Sequence, residues 1–397
     1  MHTEANWHIL VNGCLNTSHD VLKTRLTYLP AAEQKWQRTY KVIATNELLV
    51  ALITVVVIVL LGVLLGAVNN KVVMLSITHG SNHYLLEPHN PLRFLANHDG
   101  PAYIRIAEHG YQKKHLTNFF PLYPLLIHVV HKVASSALYS ALLISWMSLV
   151  GAVYYYLRIV KKLFNVKNNL EALRGVLFFV LFPTGVFLIA TYTESLFAFV
   201  SLAAIYYALR KQWLPAALFS VLSTASHDNG ILVLILVCLL LFEVKEKISR
   251  IAWTLIIGSV GLISYMAYLY HRFHHPLAFI SAQKSQGWVQ QTNFLSHLFA
   301  HSHPSNYFFL GLVIISAIYW WKRRISFSIY SILYVFIPIA GGIFGGYNRY
   351  VLMAFPVPLM FYSVSRKSPT GYQIILTAST ILWTFILLQY MGGYIGS

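Results

Sequence analysis

A succession of long apolar runs separated by short polar ones constrains this chain more than any other feature. Runs near 48–68, 137–157, 172–190, 250–270, 305–321, 325–344 and 371–391 are long enough to cross a bilayer as helices, which takes roughly 17–25 residues each. Shorter runs at 194–209, 213–226, 230–243 and 350–364 carry Trp, Tyr or basic residues at their ends, anchors that let a helix tilt or thin the bilayer to fit. In lipid, every backbone N–H and C=O must be bonded inside the structure, so runs of this kind fold as helices. We therefore expect an all-α membrane protein with about eleven transmembrane helices. Composition agrees, since 57% of residues are hydrophobic and only 10% are charged, against about 25% charged in soluble domains.

A formal charge of +17 would suggest nucleic acid in a soluble protein. In a membrane protein the placement of Lys and Arg matters more than their sum, and no nucleic-acid partner is expected here. With a cytoplasmic start, alternating sides put most basic residues inside. These are Lys23, Arg25, Lys35, Arg38 and Lys41; Arg158, Lys161, Lys162, Lys167 and Arg174; Arg210 and Lys211; Lys245, Lys247 and Arg250; Lys322, Arg323 and Arg324; and Arg366 and Lys367. Residues 1–46 then form a basic cytoplasmic extension, with no basic start leading into a cleavable apolar core, and 47–397 form a polytopic transmembrane domain. The stretch 69–136 becomes a long first loop on the non-cytoplasmic side, provided that "FFPLYPLLIHVVHKV", 119–133, does not cross fully. Cys14 and Cys238 supply neither a disulfide framework nor a zinc site.

The same alternation collects the unusual polar groups on the other face. The first loop holds "NHDGPAYIRIAEHGY", Asn97 to Tyr111, with His98, Asp99, Arg105, Glu108 and His109. Glu194 opens a span, "SHDNG" (Ser226 to Gly230) joins two, "HRFHHPLAFISAQKSQGW" opens a second large loop, and "GGYNRY" brings Arg349 to a span's edge. Each has a bland reading. Asp before Gly commonly serves a turn or a helix cap, and Glu194, Asp228 and Arg349 can anchor or snorkel. A carboxylate within an apolar run, however, is costly against lipid, so Glu194 should face the bundle interior or a wet cavity. The sets His271, His274, His275 and His297, His301, His303 have helix-like spacing but no neighbouring carboxylate, so they read as hydrogen-bonding surface and no metal is assigned. No Gly-rich phosphate loop is present to hold a cytosolic nucleotide sugar or ATP.

The order of these blocks resembles the PIG-V-type mannosyltransferases, relatives of GPI mannosyltransferase 2 within the GT-C class of polytopic glycosyltransferases. The resemblance lies in "HDGPAYIRIAEHGY", "FFPLYPLL", "FPTGVFLIATYTESLFAF", "SHDNGIL", "HHPLAFISAQKSQGW" and "NRYVLMAFPVPL", in sequence from Asn97 to Leu359. There are departures. His98 stands where the family has Trp, Ala102 where it has an aromatic residue, and His227-Asp228 where it has a basic residue. The resemblance implies a GT-C-like fold and a lipid-linked co-substrate, polyprenyl-phosphate mannose, whose sugar is transferred to a lipid or glycan acceptor by inverting displacement on the non-cytoplasmic face. The membrane would be the plasma membrane in a prokaryote and the endoplasmic reticulum membrane in a eukaryote. Beyond that co-substrate no cofactor is assigned, and metal dependence stays open.

Asp99 matches the family's first-loop aspartate and is the expected general base. Arg349, Arg105 and Lys284 are candidates to hold the lipid phosphate, because guanidinium offers a planar donor fork and ammonium a compact charge. Glu194 is a candidate to position a sugar hydroxyl or hold one of those cations, and Asp228 to bind donor phosphate or sugar. Tyr103 and the Phe119–Pro124 shelf would shield Asp99 from water, and Tyr111, Tyr123 and Trp288 are candidates to stack on sugar or prenyl surface. The competing class is a transporter or lipid-linked sugar flippase, which should show paired halves and polar breaks at mid-depth; no clear internal repeat is visible. A purely structural subunit would give Asp99 and Glu194 no reason to share a face.

Overall fold

The computed structural model describes residues 45–73, 90–285, 304–340 and 347–392. Most of the 1–46 extension, Trp288 and the His297, His301, His303 set lie outside the described residues, as does the side chain of Lys284. Among the described residues every regular element is helical. In chain order these are α1 (Glu47–Val73), α2 (Gly100–His109), α3 (Leu122–His131), α4 (Ala137–Phe164), α5 (Asn169–Val180), α6 (Glu194–Leu209), α7 (Trp213–Ser226) and α8 (Gly230–Glu243). There follow α9 (Ile248–Gly258), α10 (Val260–Phe273), α11 (Ala278–Ser285), α12 (Pro304–Trp321), α13 (Ile325–Ala340), α14 (Tyr347–Val351), α15 (Pro356–Ser365) and α16 (Pro369–Met391). Short 3-10 turns cover Arg93–Ala96, Lys114–Asn118 and Gly185–Leu188.

Local chemistry sets the ends. Ser136 caps α4 by accepting from the Tyr139 N–H at 3.2 Å, and Asn168 caps α5 by accepting from the Leu170 N–H at 2.8 Å. Ser368, followed by Pro369, does the same for α16 at 3.0 Å from the Gly371 N–H. Among the described residues, four candidate spans are long and apolar enough to cross: Glu47–Asn69, Ala137–Phe164, Ile248–Phe273 and Pro369–Met391. The expected number of about eleven is therefore not reproduced by length alone. Two expected spans are broken. Over 172–190 the helix stops at Val180, because Pro183 supplies no N–H to continue the ladder. Over 350–364 the chain turns after Val351 and restarts at Pro356, a residue suited to a first turn. The expected non-crossing piece forms only the ten-residue α3, which at 1.5 Å per residue covers about half the hydrocarbon thickness.

Surface and interior differ as a bilayer requires. Along α1, Leu52, Val56, Val57, Leu60, Leu64 and Val68 are exposed, as are Trp253, Ile256 and Ile263 on α9 and α10 and Ile374, Ile381 and Phe385 on α16. Apolar surface on this scale would be unstable in water and is at home in lipid. The chain is an integral membrane protein. At the centre lies α6, in which every residue but Phe199 and Tyr207 is buried. It packs against α4, α7 and α8, partly through small polar residues such as Ser201, whose hydroxyl meets that of Ser223 at 3.0 Å.

Polar groups segregate to opposite ends. At one end Glu47 takes Lys161 at 2.6 Å and Arg158 at 3.2 Å, Lys161 also donates to Asn169, and the Arg174 carbonyl accepts from Tyr372 at the start of α16. The far end of α16 reaches a different neighbourhood, where the Asn97 amide donates to the Tyr390 carbonyl at 2.9 Å. Exposed Lys113 belongs to the Asn97 end and exposed Lys167 to the Glu47 end. Single cysteines replacing Lys113 and Lys167, in a chain lacking Cys14 and Cys238, should therefore label from opposite sides of the membrane. With a membrane-impermeant maleimide on intact cells, one reacts at once and the other only after permeabilisation; labelling of both from one side would refute the two-ended arrangement.

Candidate active site

At the Asn97 end, three stretches remote in sequence meet around one buried cation. Asp99 occupies the N-cap position of α2, where its carbonyl accepts from the N–H groups of Ala102 at 3.0 Å and Tyr103 at 3.3 Å. Its side chain makes no capping bond. Instead the carboxylate takes the Arg349 guanidinium, from α14, at 2.5 Å. The same guanidinium reaches back with Nε to Glu194, the first residue of α6, at 3.1 Å. Asp99, Glu194 and Arg349 are 7%, 2% and 7% exposed, so the ion pairs are made inside the protein, largely away from water. Phe187, Tyr192 and Tyr350 surround the guanidinium with rings at 5.9, 5.5 and 5.3 Å, a favourable setting for a cation.

The broken span at 181–193 is what makes this assembly fit. Its Thr191 N–H donates to the Leu95 carbonyl at 2.9 Å, and the Tyr192 hydroxyl donates to the Asn97 carbonyl at 3.2 Å while accepting from the Asp99 N–H at 3.1 Å. Tyr390 adds a second hydroxyl to the Asn97 carbonyl at 3.2 Å. His98 is held with φ at +58°, a left-handed backbone that is costly for a residue with a Cβ. Next to it, Gly100 lies so near Thr191 that a methyl group would collide with the threonine hydroxyl. The loop carrying Asp99 is thus clamped rather than hung from a surface.

A small cleft, with about 20 Å³ open to the centre of a water-sized molecule, lies beside Asp99 and Arg349. Tyr103, Phe119, Phe120 and Tyr350 give it aromatic surface, and Asn118, Ser226, His227, Asp228 and Gln283 give it polar surface. Tyr103 sits one helical turn past Asp99 and packs edge-on against Phe119 at 5.0 Å. Burial, and after it the negative charge of Glu194, holds the Tyr103 phenol well above its usual titration range, so it stays protonated. His227 stacks on Phe197 at 4.8 Å and contacts Asp228 through Nδ1. Asp228 accepts from the Asn229 N–H at 2.8 Å and from the Gln283 amide at 3.1 Å. Burial pushes the Asp228 carboxyl up, but the His227 charge and these hydrogen bonds outweigh it and hold the group below the ordinary aspartate range.

Of the residues expected from sequence, the structure brings together Asp99, Glu194, Arg349, Tyr103 and Asp228. Others are elsewhere. Arg105 is on α2 but not on the cleft, and Tyr123 commits its hydroxyl to Ala141 and Ser145. Tyr111 donates to the Phe119 carbonyl at 2.6 Å, so both tyrosines support the loop rather than face a ligand. Three cleft residues were not singled out from sequence: Asn118, Gln283 and Tyr350. Each lies inside or beside a quoted block, yet nothing in local spacing marks an amide as facing a cavity. His271 and His274 are exposed, and among the described residues no three His, Cys, Asp or Glu side chains gather as a metal site would require.

A family model described as Mannosyltransferase (PIG-V) matches residues 48–251, just over half of the 397-residue chain. The matched region contains Asp99, Glu194, His227 and Asp228 and ends before Gln283 and Arg349. Among solved structures, the chain is similar to the Archaeoglobus fulgidus oligosaccharyltransferase tethered to an acceptor peptide containing the NVT sequon. That similarity has 13% identity and a TM-score of 0.45 over 86% of this chain and 55% of the other, so the chain spans about half the length of that protein. No curated protein matches.

The buried ion cluster makes a strong statement about stability. Replacing Arg349 by Leu leaves two carboxylates without their shared cation, and removal of one partner from a buried pair costs about 3–5 kcal/mol. Thermal unfolding in detergent should show a pronounced loss for Arg349→Leu and an intermediate one for Arg349→Lys, whose single ammonium cannot fork between Asp99 and Glu194. A melting temperature for Arg349→Leu equal to that of the unmodified protein would show that the cluster contributes nothing.

Proposed function

This chain belongs to the PIG-V mannosyltransferase family, and from that premise we propose that it moves mannose from polyprenyl-phosphate mannose to a lipid or glycan acceptor on the non-cytoplasmic face. It is a glycosyltransferase by family; the donor, the acceptor and the face are our reading. The observation that carries it is the Asp99 carboxylate, turned away from capping its own helix and set beside a polar cleft.

In this reading the acceptor hydroxyl attacks the anomeric carbon as the bond from that carbon to phosphate oxygen breaks. The polyprenyl phosphate departs with the electron pair, the configuration inverts, and Asp99 takes the hydroxyl proton. No acid is needed for the leaving group, because a phosphate departs without being protonated, so one carboxylate suffices where a glycosidase uses two. Arg349 fixes the direction of the Asp99 carboxylate, and Glu194 holds Arg349 from the other side. Since the Arg349 fork already faces two carboxylates, the departing phosphate is assigned to Arg105 and Lys284. The fold is read as GT-C-like with about eleven passages, the shorter helices tilting or joining at breaks. The Lys113 end is read as non-cytoplasmic, in keeping with the basic residues gathered at the Glu47 end. A transporter or flippase gains no support from the family match.

Asp99→Asn tests the role. Asn keeps the shape and can still accept from Arg349, so a purely structural role predicts lost stability of up to about 3–5 kcal/mol from the weakened buried pair with the folded enzyme turning over normally, whereas loss of a general base predicts about 100- to 10,000-fold slower transfer. The measurement is initial rate with radiolabelled polyprenyl-phosphate mannose and a lipid extract, at matched protein and saturating donor. Turnover within about threefold of the unmodified enzyme would remove Asp99 from the chemistry.

A further inference from the structure

The cleft has a particular balance of groups. Among its described lining residues, Asp99 and Asp228 stand against Arg349 and His227, so no surplus of positive charge lines it. A phosphate, which offers acceptors and negative charge, gains little there beyond what the carboxylates already take. Two amides line the cleft as well. Asn118 closes the Lys114–Asn118 turn, against which α11 packs, and its side-chain Oδ1 is buried with no hydrogen-bond partner among the described residues. Gln283, on α11, points its amide nitrogen at Asp228. A carboxylate only accepts, which fixes the direction of that amide and leaves the Gln283 Oε1 for whatever enters the cleft.

We propose that Asn118 and Gln283, the latter aimed by Asp228, form a subsite for the hydroxyls of the transferred hexose and set which sugar is accepted. The inference rests on the transferase reading above and deepens it by giving the substrate an orientation. Hydroxyls both donate and accept, so they satisfy either end of the Asn118 amide and the Gln283 carbonyl at once, which neither a phosphate nor a prenyl chain can do. The sugar therefore lies inward between the amides and the rings of Tyr103 and Tyr350, and the lipid phosphate lies outward. A buried amide end with no partner is costly in the empty protein, so pairing it with substrate favours the correct hydroxyl pattern over an analogue that leaves it unmade.

The test is a set of short-chain polyprenyl-phosphate mannose donors, each lacking one hydroxyl at C2, C3, C4 or C6, assayed with the intact enzyme and with Asn118→Leu, Gln283→Leu and Asn118→Asp. The intact enzyme should lose about 10- to 100-fold in kcat/KM on at least one deoxy donor. Asn118→Leu or Gln283→Leu should narrow that same ratio to within about threefold, whereas the shape-preserving Asn118→Asp should keep it. Leu variants that slow every donor by one common factor, leaving the ratios unchanged, would overturn the subsite and leave the transferase reading standing. If the intact enzyme transfers from none of the donors, that reading fails separately. The subsite is then decided by saturation-transfer NMR with methyl mannoside. A sugar signal seen with the intact protein and abolished in Asn118→Leu and Gln283→Leu supports it, and absence of that signal with the intact protein refutes it.

Discussion

One guanidinium holds the site end of this protein together. Arg349 joins Asp99, 250 residues earlier in the chain, to Glu194 at the head of the central helix, and all three are removed from water. Burying a charge is costly by several kcal/mol unless it is paired in good geometry, so none of the three is tolerable alone. Their mutual dependence forces α2, α6 and α14 into one arrangement. The irregular segment between α5 and α6 follows from it, because a continuous helix through 172–190 would not deliver Phe187 and Tyr192 to the guanidinium. Breaks that look like defects in a membrane span are here the means of building a wall around a cation.

Such a cluster also settles a competition for the Asp99 side chain. At the head of α2 it has backbone N–H groups close by, and a capping bond would contribute about 1 kcal/mol. A charge-assisted bond to a buried Arg is stronger than a neutral contact, and leaving that Arg without a partner would cost more than leaving a cap unmade. The helix start is secured without the side chain, by Pro101 in the first turn and by the bonds that the Asp99 carbonyl and the clamped His98–Gly100 backbone make. A carboxylate freed from its local duty is available for chemistry.

This also explains which parts were legible in the sequence. Hydropathy marked the apolar runs because lipid imposes one rule on every backbone group, and the caps at Ser136, Asn168 and Ser368 agree with local preference. Glu194 stood out because a carboxylate in an apolar run has few places to go. Pro183 and Pro356 were visible too, and weighing them against hydropathy would have broken the two expected spans in the right places. The pairing of Asp99 with Arg349 was not legible, since both residues are compatible with bland local roles and nothing in spacing links positions so far apart. Asn118 and Gln283 were hidden for a related reason. An uncharged amide gives no signal in a hydropathy profile, and only the packing of α11 on the turn at Lys114–Asn118 brings the two to one wall.

The departures at His227 and Asp228 take on physical sense in that setting. A basic residue at this position, as the family pattern has it, would face Glu194 and draw on the same carboxylates that hold Arg349. Here His227 lies flat on Phe197 and turns its Nδ1 toward its own neighbour, Asp228, whose remaining oxygen takes Gln283. The positive charge of the cluster thereby stays concentrated on Arg349, and a second polar pair, Asp228 and Gln283, lines the same cleft. Thr193 ties the two together, its hydroxyl donating to the Ser226 carbonyl at 3.1 Å just ahead of His227. With Asp99 held from one side and Gln283 aimed from the other, a ligand between them meets groups whose directions are fixed before it arrives. That preorganisation is what a displacement at a single carbon requires of its surroundings.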